Sequence, residues 1–161
     1  MGSMNEPLRK LRLDEFIPYR LSYVSNLVSD AIAETYRSLF GLRIPEWRLV
    51  AVIAEGPMTQ QQLCARTHMD KVTVSRAAAA LVGRGLLERR ANDADRRSHH
   101  LQLTAAGTDL YERIAPKALQ LEAEIFGGFD EHELKTMERL LDRVEQAASA
   151  AARRQEQGED K

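Results

Sequence analysis

Cysteine is nearly absent: Cys64 is the only thiol in 161 residues, which excludes an intramolecular disulfide and any dependence on an oxidising compartment. Aromatic side chains are scarce at 6% while Ala, Leu and Arg are plentiful, a composition that favours a mostly helical chain. No apolar run approaches the roughly 18 residues that span a bilayer. A charged start followed by an apolar stretch, the mark of a signal peptide, is also missing. A cytoplasmic location with no membrane partner is therefore expected. His68, His99, His100 and His132 are scattered along the chain, so no metal site and no cofactor are expected. No Ser-His-Asp arrangement, phosphate-cradling glycine loop or paired-carboxylate cleft is visible, and the chain is read as a non-enzyme without catalytic residues.

What is present is ordinary for a water-facing protein, with 43% hydrophobic and 29% charged residues, enough for one domain with a core. Met1-Gly2-Ser3 ahead of Met4 reads as a cloning remnant (residues 1–3). The net charge is −1, but its distribution is uneven. From Arg66 to His100 eight cations face four anions, a local +4 that leaves −5 for the remainder. A basic middle between acidic ends is the footprint of a protein that meets a polyanion with one part of its surface.

Apolar residues spaced by three to five (Phe16, Tyr19, Tyr23, Leu27, Ile32, Tyr36, Leu39) predict a long amphipathic helix from Asp14 to Phe40, ended by Gly41. Pro45 opens a second helix that runs through Ala54 and closes at Gly56-Pro57. Thr59, with Gln62 three residues on, caps a short third helix from Gln60 to Thr67. Asp70 caps a fourth that reaches Val82, with Val74, Ala77, Ala78 and Leu81 as its inner stripe and Lys71, Thr73, Ser75, Arg76 and Ala79 outward. Leu86–Arg90 and His99–Leu103 read as strands joined by a polar segment. Thr104 caps a fifth helix to Phe126, containing Pro116. Asp130 and Glu133 form a capping box for a final helix carrying Leu134, Met137, Leu141 and Val144.

Helix, turn, helix and hairpin make a winged helix-turn-helix arrangement. The major groove accepts one helix, whose N-terminal residues reach base edges. Thr59, Lys71, Thr73, Ser75 and Arg76 are the candidate DNA-binding residues at that end. Arg76 can fork onto a guanine. Arg96 and Arg97 at the hairpin tip can enter the adjacent minor groove, and Asp95 is near enough to pair with Arg97 and hold its side chain.

The stretches MDKVTVSRAAAALVGRGLLER and DADRRSHHLQLTAAG, with Asp95, Arg97, Leu103, Thr104 and Gly107 at the signature positions of the hairpin, resemble the MarR family of bacterial transcription regulators. The resemblance spans roughly Asp14 to Ala148. It implies a mostly α fold with a small β-hairpin wing, and an obligate homodimer. Residues 4–44 would be the N-terminal dimerisation helix, 45–103 the DNA-binding lobe, 104–152 the C-terminal dimerisation helices and 153–161 a frayed tail. It further implies binding to a pseudo-palindromic double-stranded DNA operator, most often as a repressor, with release by a small aromatic acid or by thiol oxidation. An arginine facing an aromatic wall suits a phenolic carboxylate or its coenzyme A thioester.

In that family the effector lies between the first helix, the second helix and the DNA-binding lobe, which puts Arg20, Tyr23, Asn26, Trp47, Arg48 and His68 near it. The same residues also read as core (Tyr23, Trp47) or as a dimer salt bridge (Arg20). Cys64 occupies an inward position that suits a packed, inert thiol. Two other functions remain open: a winged-helix module that binds proteins, and a regulator that senses oxidation through Cys64.

Overall fold

The computed structural model describes residues 10–91, 93–95 and 97–158, the last three by backbone only. Six helices and three strands follow one another: α1 (Ile17–Phe40), α2 (Ile44–Ile53), β1 (Met58–Thr59), α3 (Gln60–Thr67), α4 (Lys71–Gly83), β2 (Leu87–Ala91), β3 (His99–Leu103), α5 (Ala105–Phe126) and α6 (Glu131–Gly158). Among the described residues no helix is long and apolar enough to cross a membrane. The chain divides inside α5 into one unit that runs to Leu119 and another that begins at Gln120.

The helices follow the periodicity of the sequence, with shifts at their ends. The first begins three residues later than expected, because Leu13–Glu15 forms a separate 3-10 turn and Phe16 is extended. Gly41 ends α1 in the left-handed region (φ 61°), where glycine carries no Cβ penalty. α2 starts at Ile44 with Pro45 in its first turn. There the buried Glu46 carboxylate accepts from the Arg43 backbone N–H at 2.9 Å and from its guanidinium at 2.9 and 3.0 Å. Burying a carboxylate is costly without such partners, and this set satisfies it.

β1 was not foreseen. Its two residues pair antiparallel with β3 (Met58 with Leu101, Thr59 with His100), and β3 pairs with β2 from Leu87–Leu103 to Ala91–His99, giving the order β1-β3-β2. Thr59 thus ends a strand and caps α3 at once: its hydroxyl accepts from the Gln62 N–H at 3.2 Å, and the Thr59 N–H donates to Gln62 Oε1 at 2.9 Å.

The core of the first unit collects Tyr36 and Leu42, Leu49, Val50 and Ile53 of the α2 region, Leu63 of α3, the α4 stripe, Leu87 and Leu101 of the sheet, and Leu110 and Ile114 of α5. Trp47 sits at its edge between Tyr36 (centroids 5.1 Å apart) and Tyr111 (6.3 Å, nearly parallel). In the second unit, Asp130 and Glu133 form the expected reciprocal cap, with both bonds at 2.8 Å. α6 continues to Gly158, so residues 153–158, assigned above to a frayed tail, are helical. The Ala-rich run from Ala147 propagates helix well enough to carry it on.

One close approach ties the hairpin to α5. The Thr104 hydroxyl donates to the Gly85 carbonyl at 2.6 Å and accepts from the Gly107 N–H at 3.1 Å. A Cβ on Gly107 would lie 2.1 Å from the Leu86 carbonyl oxygen, an oxygen that already accepts from the Thr104 N–H. Backbone cannot yield as a side-chain tip can. Gly107→Ala is expected to destabilise the fold by at least about 2 kcal/mol, read as a lower urea or thermal midpoint, while the exposed control Ala106→Gly is expected to stay within about 1 kcal/mol of wild type.

Candidate nucleic-acid interface

Burial of one stripe sets the face that α4 shows to solvent. Val74, Ala77, Ala78 and Leu81 are buried against α2 and α3, which leaves Lys71, Val72, Ser75, Arg76 and Ala79 exposed. This is the expected division, with two changes: Val72, not assigned to either face above, is exposed, and Thr73 is not. Thr73, assigned above to DNA, is half-buried and spends its polar groups on the helix cap. Its N–H donates to Asp70 Oδ1 at 2.8 Å and its hydroxyl to Oδ2 at 2.7 Å. These two bonds hold the Asp70 carboxyl below its ordinary value of 3.8, because they favour its charged form.

The turn between α3 and α4 is made at His68, which takes the left-handed conformation (φ 54°, ψ 21°) as the C-cap of α3. Few side chains accept that geometry, and histidine is among the more tolerant. At its other end α4 reaches back to α1. The Arg84 guanidinium donates to the carbonyls of Gly41 (3.0 Å) and Phe40 (3.2 Å), occupying acceptors that the end of α1 leaves open.

The basic middle of the chain separates into two groups. Arg66 is clamped by Glu55 at 2.7 and 2.9 Å, Arg84 by the α1 carbonyls, and Arg90 by Glu88. Lys71, Arg76, Arg89 and Arg97 are exposed and have no ion pair among the described residues. Arg96 lies outside the described residues. Asp95 acts on the backbone: its carboxylate accepts from the Arg97 N–H at 3.0 Å, and its carbonyl accepts from the Ser98 N–H at 3.1 Å. The expected contact with the Arg97 guanidinium is not made; Asp95 shapes the hairpin tip.

Thr59, Lys71, Asp95 and Arg97 line one cleft of about 930 Å³, together with Gln60, Gln61, Gln62, Arg89, His99 and His100. Arg89 and the glutamines were missed in the sequence. The strand register was the signal that could have found Arg89, since it faces Leu101 across the ladder while Glu88 and Arg90 share the other face.

The candidate effector residues are not gathered in the same way. Arg20, Asn26 and Arg48 are exposed, as is His68. Tyr23 stacks on Tyr19 with centroids 6.2 Å apart, and Trp47 is packed against the core. None of the six lines this cleft or the two smaller cavities at Lys10–Pro18 and Asp130–Lys135. Cys64 is half-buried against the core, as its inward position suggests.

A helix pair joined by a tight turn and followed by an antiparallel hairpin defines a winged helix-turn-helix protein. A family model for MarR regulators matches residues 40–98. The regulator PecS of Dickeya dadantii is 29% identical over 129 residues, 78% of this chain and 77% of its own. A MarR family regulator from Silicibacter pomeroyi has a similar structure (TM-score 0.74, 29% identical, 86% of this chain and 93% of that one). Sco3205 of Streptomyces coelicolor, solved in complex with DNA, gives a TM-score of 0.77 at 21% identity over 89% of this chain and 92% of its own. CouR of Rhodococcus jostii, solved with p-coumaroyl-CoA, gives 0.76 at 21% identity over 84% and 95%. The last two show likeness of fold only. Over residues 40–98 the chain is similar to the MarR family of transcription regulators, and its winged-helix fold is the one those regulators share.

The Asp70 cap carries a pH dependence. Its carboxyl is lowered in the folded state, so its stabilising contribution is complete above the ordinary value of 3.8 and fades as pH falls through the lowered one. The difference in urea midpoint between wild type and Asp70→Ala is expected to be constant from pH 7 to pH 5 and to shrink towards pH 3. A difference that does not change with pH would contradict this account of the cap.

Proposed function

We propose that this regulator binds a pseudo-palindromic operator as a homodimer and represses transcription until a small aromatic acid, or its coenzyme A thioester, releases it. The observation that carries the DNA half is the set of unpaired cations, with Lys71, Arg89 and Arg97 around one cleft beside the exposed face of α4. Four exposed cations with no ion pair among the described residues are poorly placed for stability but well placed to replace counterions along a phosphate backbone. In this reading α4 enters the major groove, where Arg76 reads a guanine and Ser75 and Lys71 hold base or phosphate. Arg97, with Arg96, reaches the minor groove from a tip shaped by Asp95, and Thr59 stands at the cleft as the α3 cap.

Homodimerisation is supported by apolar surface within each unit. Ile17, Tyr23, Val24 and Leu27 are more than half exposed on α1, and Leu140, Leu141 and Val144 are exposed on α6. Apolar patches of this kind mark interfaces. Residues 4–44 and 104–152 would then form the dimer around a DNA-binding lobe of 45–103, and two-fold symmetry sets two α4 helices about 34–36 Å apart. A cytoplasmic location follows from action on DNA. The effector half is supported by the fold shared with CouR and by the exposure of Arg20, Tyr23, Asn26, Arg48 and His68, with Trp47 partly buried against the core.

Arg76→Ala is expected to cost about 1–3 kcal/mol and relax base preference at one position, whereas Arg97→Ala weakens binding across sequences and reduces the salt slope by about one. Gel shifts on DNA upstream of the protein's own gene check both, and two unaffected variants would end the DNA reading. In calorimetric titrations with hydroxycinnamates, benzoates and their coenzyme A thioesters, at least one compound is expected to bind and lower operator affinity by about 5- to 150-fold. Silence across the panel would remove the effector half only.

A further inference from the structure

Between Leu39 and Leu119 one large apolar side chain stands exposed among the described residues, Val72, at 57%. It occupies the first turn of α4, where a β-branched residue is a weak helix former, and it is not part of the core cluster. Residues three, four and seven positions on share its face of the helix. These are Ser75, Arg76 and Ala79, all exposed, on the opposite side from the buried Val74, Ala77, Ala78 and Leu81. Thr73 is half-buried, and its N–H and hydroxyl both donate to Asp70. The outward stripe of α4 therefore presents a branched apolar group, a hydroxyl, a guanidinium and a methyl.

We propose that Val72 is a specificity-determining residue that reads the C5-methyl group of a thymine in each half-site, an inference that rests on the DNA-binding function proposed above. The occupant is argued from charge and chemistry together. Lys71 and Arg76 flank Val72 and have no ion pair among the described residues, so whatever covers the valine must offer negative charge and an apolar group side by side. The major groove of duplex DNA does so at one base, since the thymine methyl is the apolar feature of its base-edge code. Side chains four apart on a helix stand about 5–6 Å from each other, and base pairs rise about 3.4 Å per step. The thymine read by Val72 lies one or two steps from the guanine read by Arg76.

The test begins with a duplex enriched from a random library by the wild-type protein, in which each thymine is replaced in turn by deoxyuridine. This removes the methyl and keeps every hydrogen-bonding group. Replacement at one symmetry-related pair of thymines is expected to weaken wild-type binding about three- to fivefold per half-site, the worth of one buried methyl. Val72→Ala is expected to bind thymine and deoxyuridine duplexes equally, at an unchanged thermal midpoint that certifies the fold. If no thymine is methyl-sensitive, or the sensitive one stays equally sensitive in Val72→Ala, the assignment is overturned while the DNA reading stands. If no duplex is enriched at all, the DNA reading fails and this inference fails with it.

Discussion

The rotation of α4 about its own axis is the constraint on which the DNA-facing surface depends. Four inward side chains set it, two alanines between a valine and a leucine, none of them more than 2% exposed. Their small volume lets α4 lie close on α2 and α3, and close-packed interiors yield little to change in volume. A turn of the helix by one residue would carry Arg76 into the core and bring Ala78 to the surface. Base reading needs a guanidinium held in a defined direction, so the fold supplies direction through the buried side of the same helix.

Both ends of α4 are fixed by polar contacts that serve position more than stability. At the N-terminus Asp70 accepts from the Thr73 N–H and hydroxyl together, which commits both of those donors to the helix cap. At the C-terminus Arg84 grips the last carbonyls of α1, so the recognition helix and the long first helix share a joint. The hairpin is anchored by another rule, steric exclusion, in which Thr104 and Gly107 draw the start of α5 against the Gly85–Leu86 backbone. Helix and wing are therefore referred to the same body.

Most of the architecture was legible because helical periodicity survives in a chain with few aromatics and well-marked ends. The α4 stripe, the Thr59–Gln62 box and the Asp130–Glu133 box were read residue by residue. What escaped depends on partners distant in sequence or on choices between equivalent donors. β1 has two residues and exists only because β3 pairs with it. Arg66 and Arg84 look like their free neighbours until Glu55 and the end of α1 are brought beside them. Thr73 could serve groove or cap, and the geometry of Asp70 decides. Asp95 met the Arg97 backbone where the side chain was expected. The candidate effector residues were placed by family resemblance, and the fold disperses their roles: Trp47 belongs to an aromatic stack, and His68 makes the helix-to-helix turn.

DNA binding as proposed requires the exposed face of α4 and the wing to meet the duplex together. Footprinting of the wild-type protein on its selected duplex with dimethyl sulfate, which methylates guanine N7 in the major groove and adenine N3 in the minor groove, tests that most directly. The account predicts protection in two major-groove windows about one helical turn apart, each flanked by protected minor-groove positions on the outer side that vanish in Arg97→Ala. Protection confined to one groove of one half-site, or unchanged by Arg97→Ala, would contradict it.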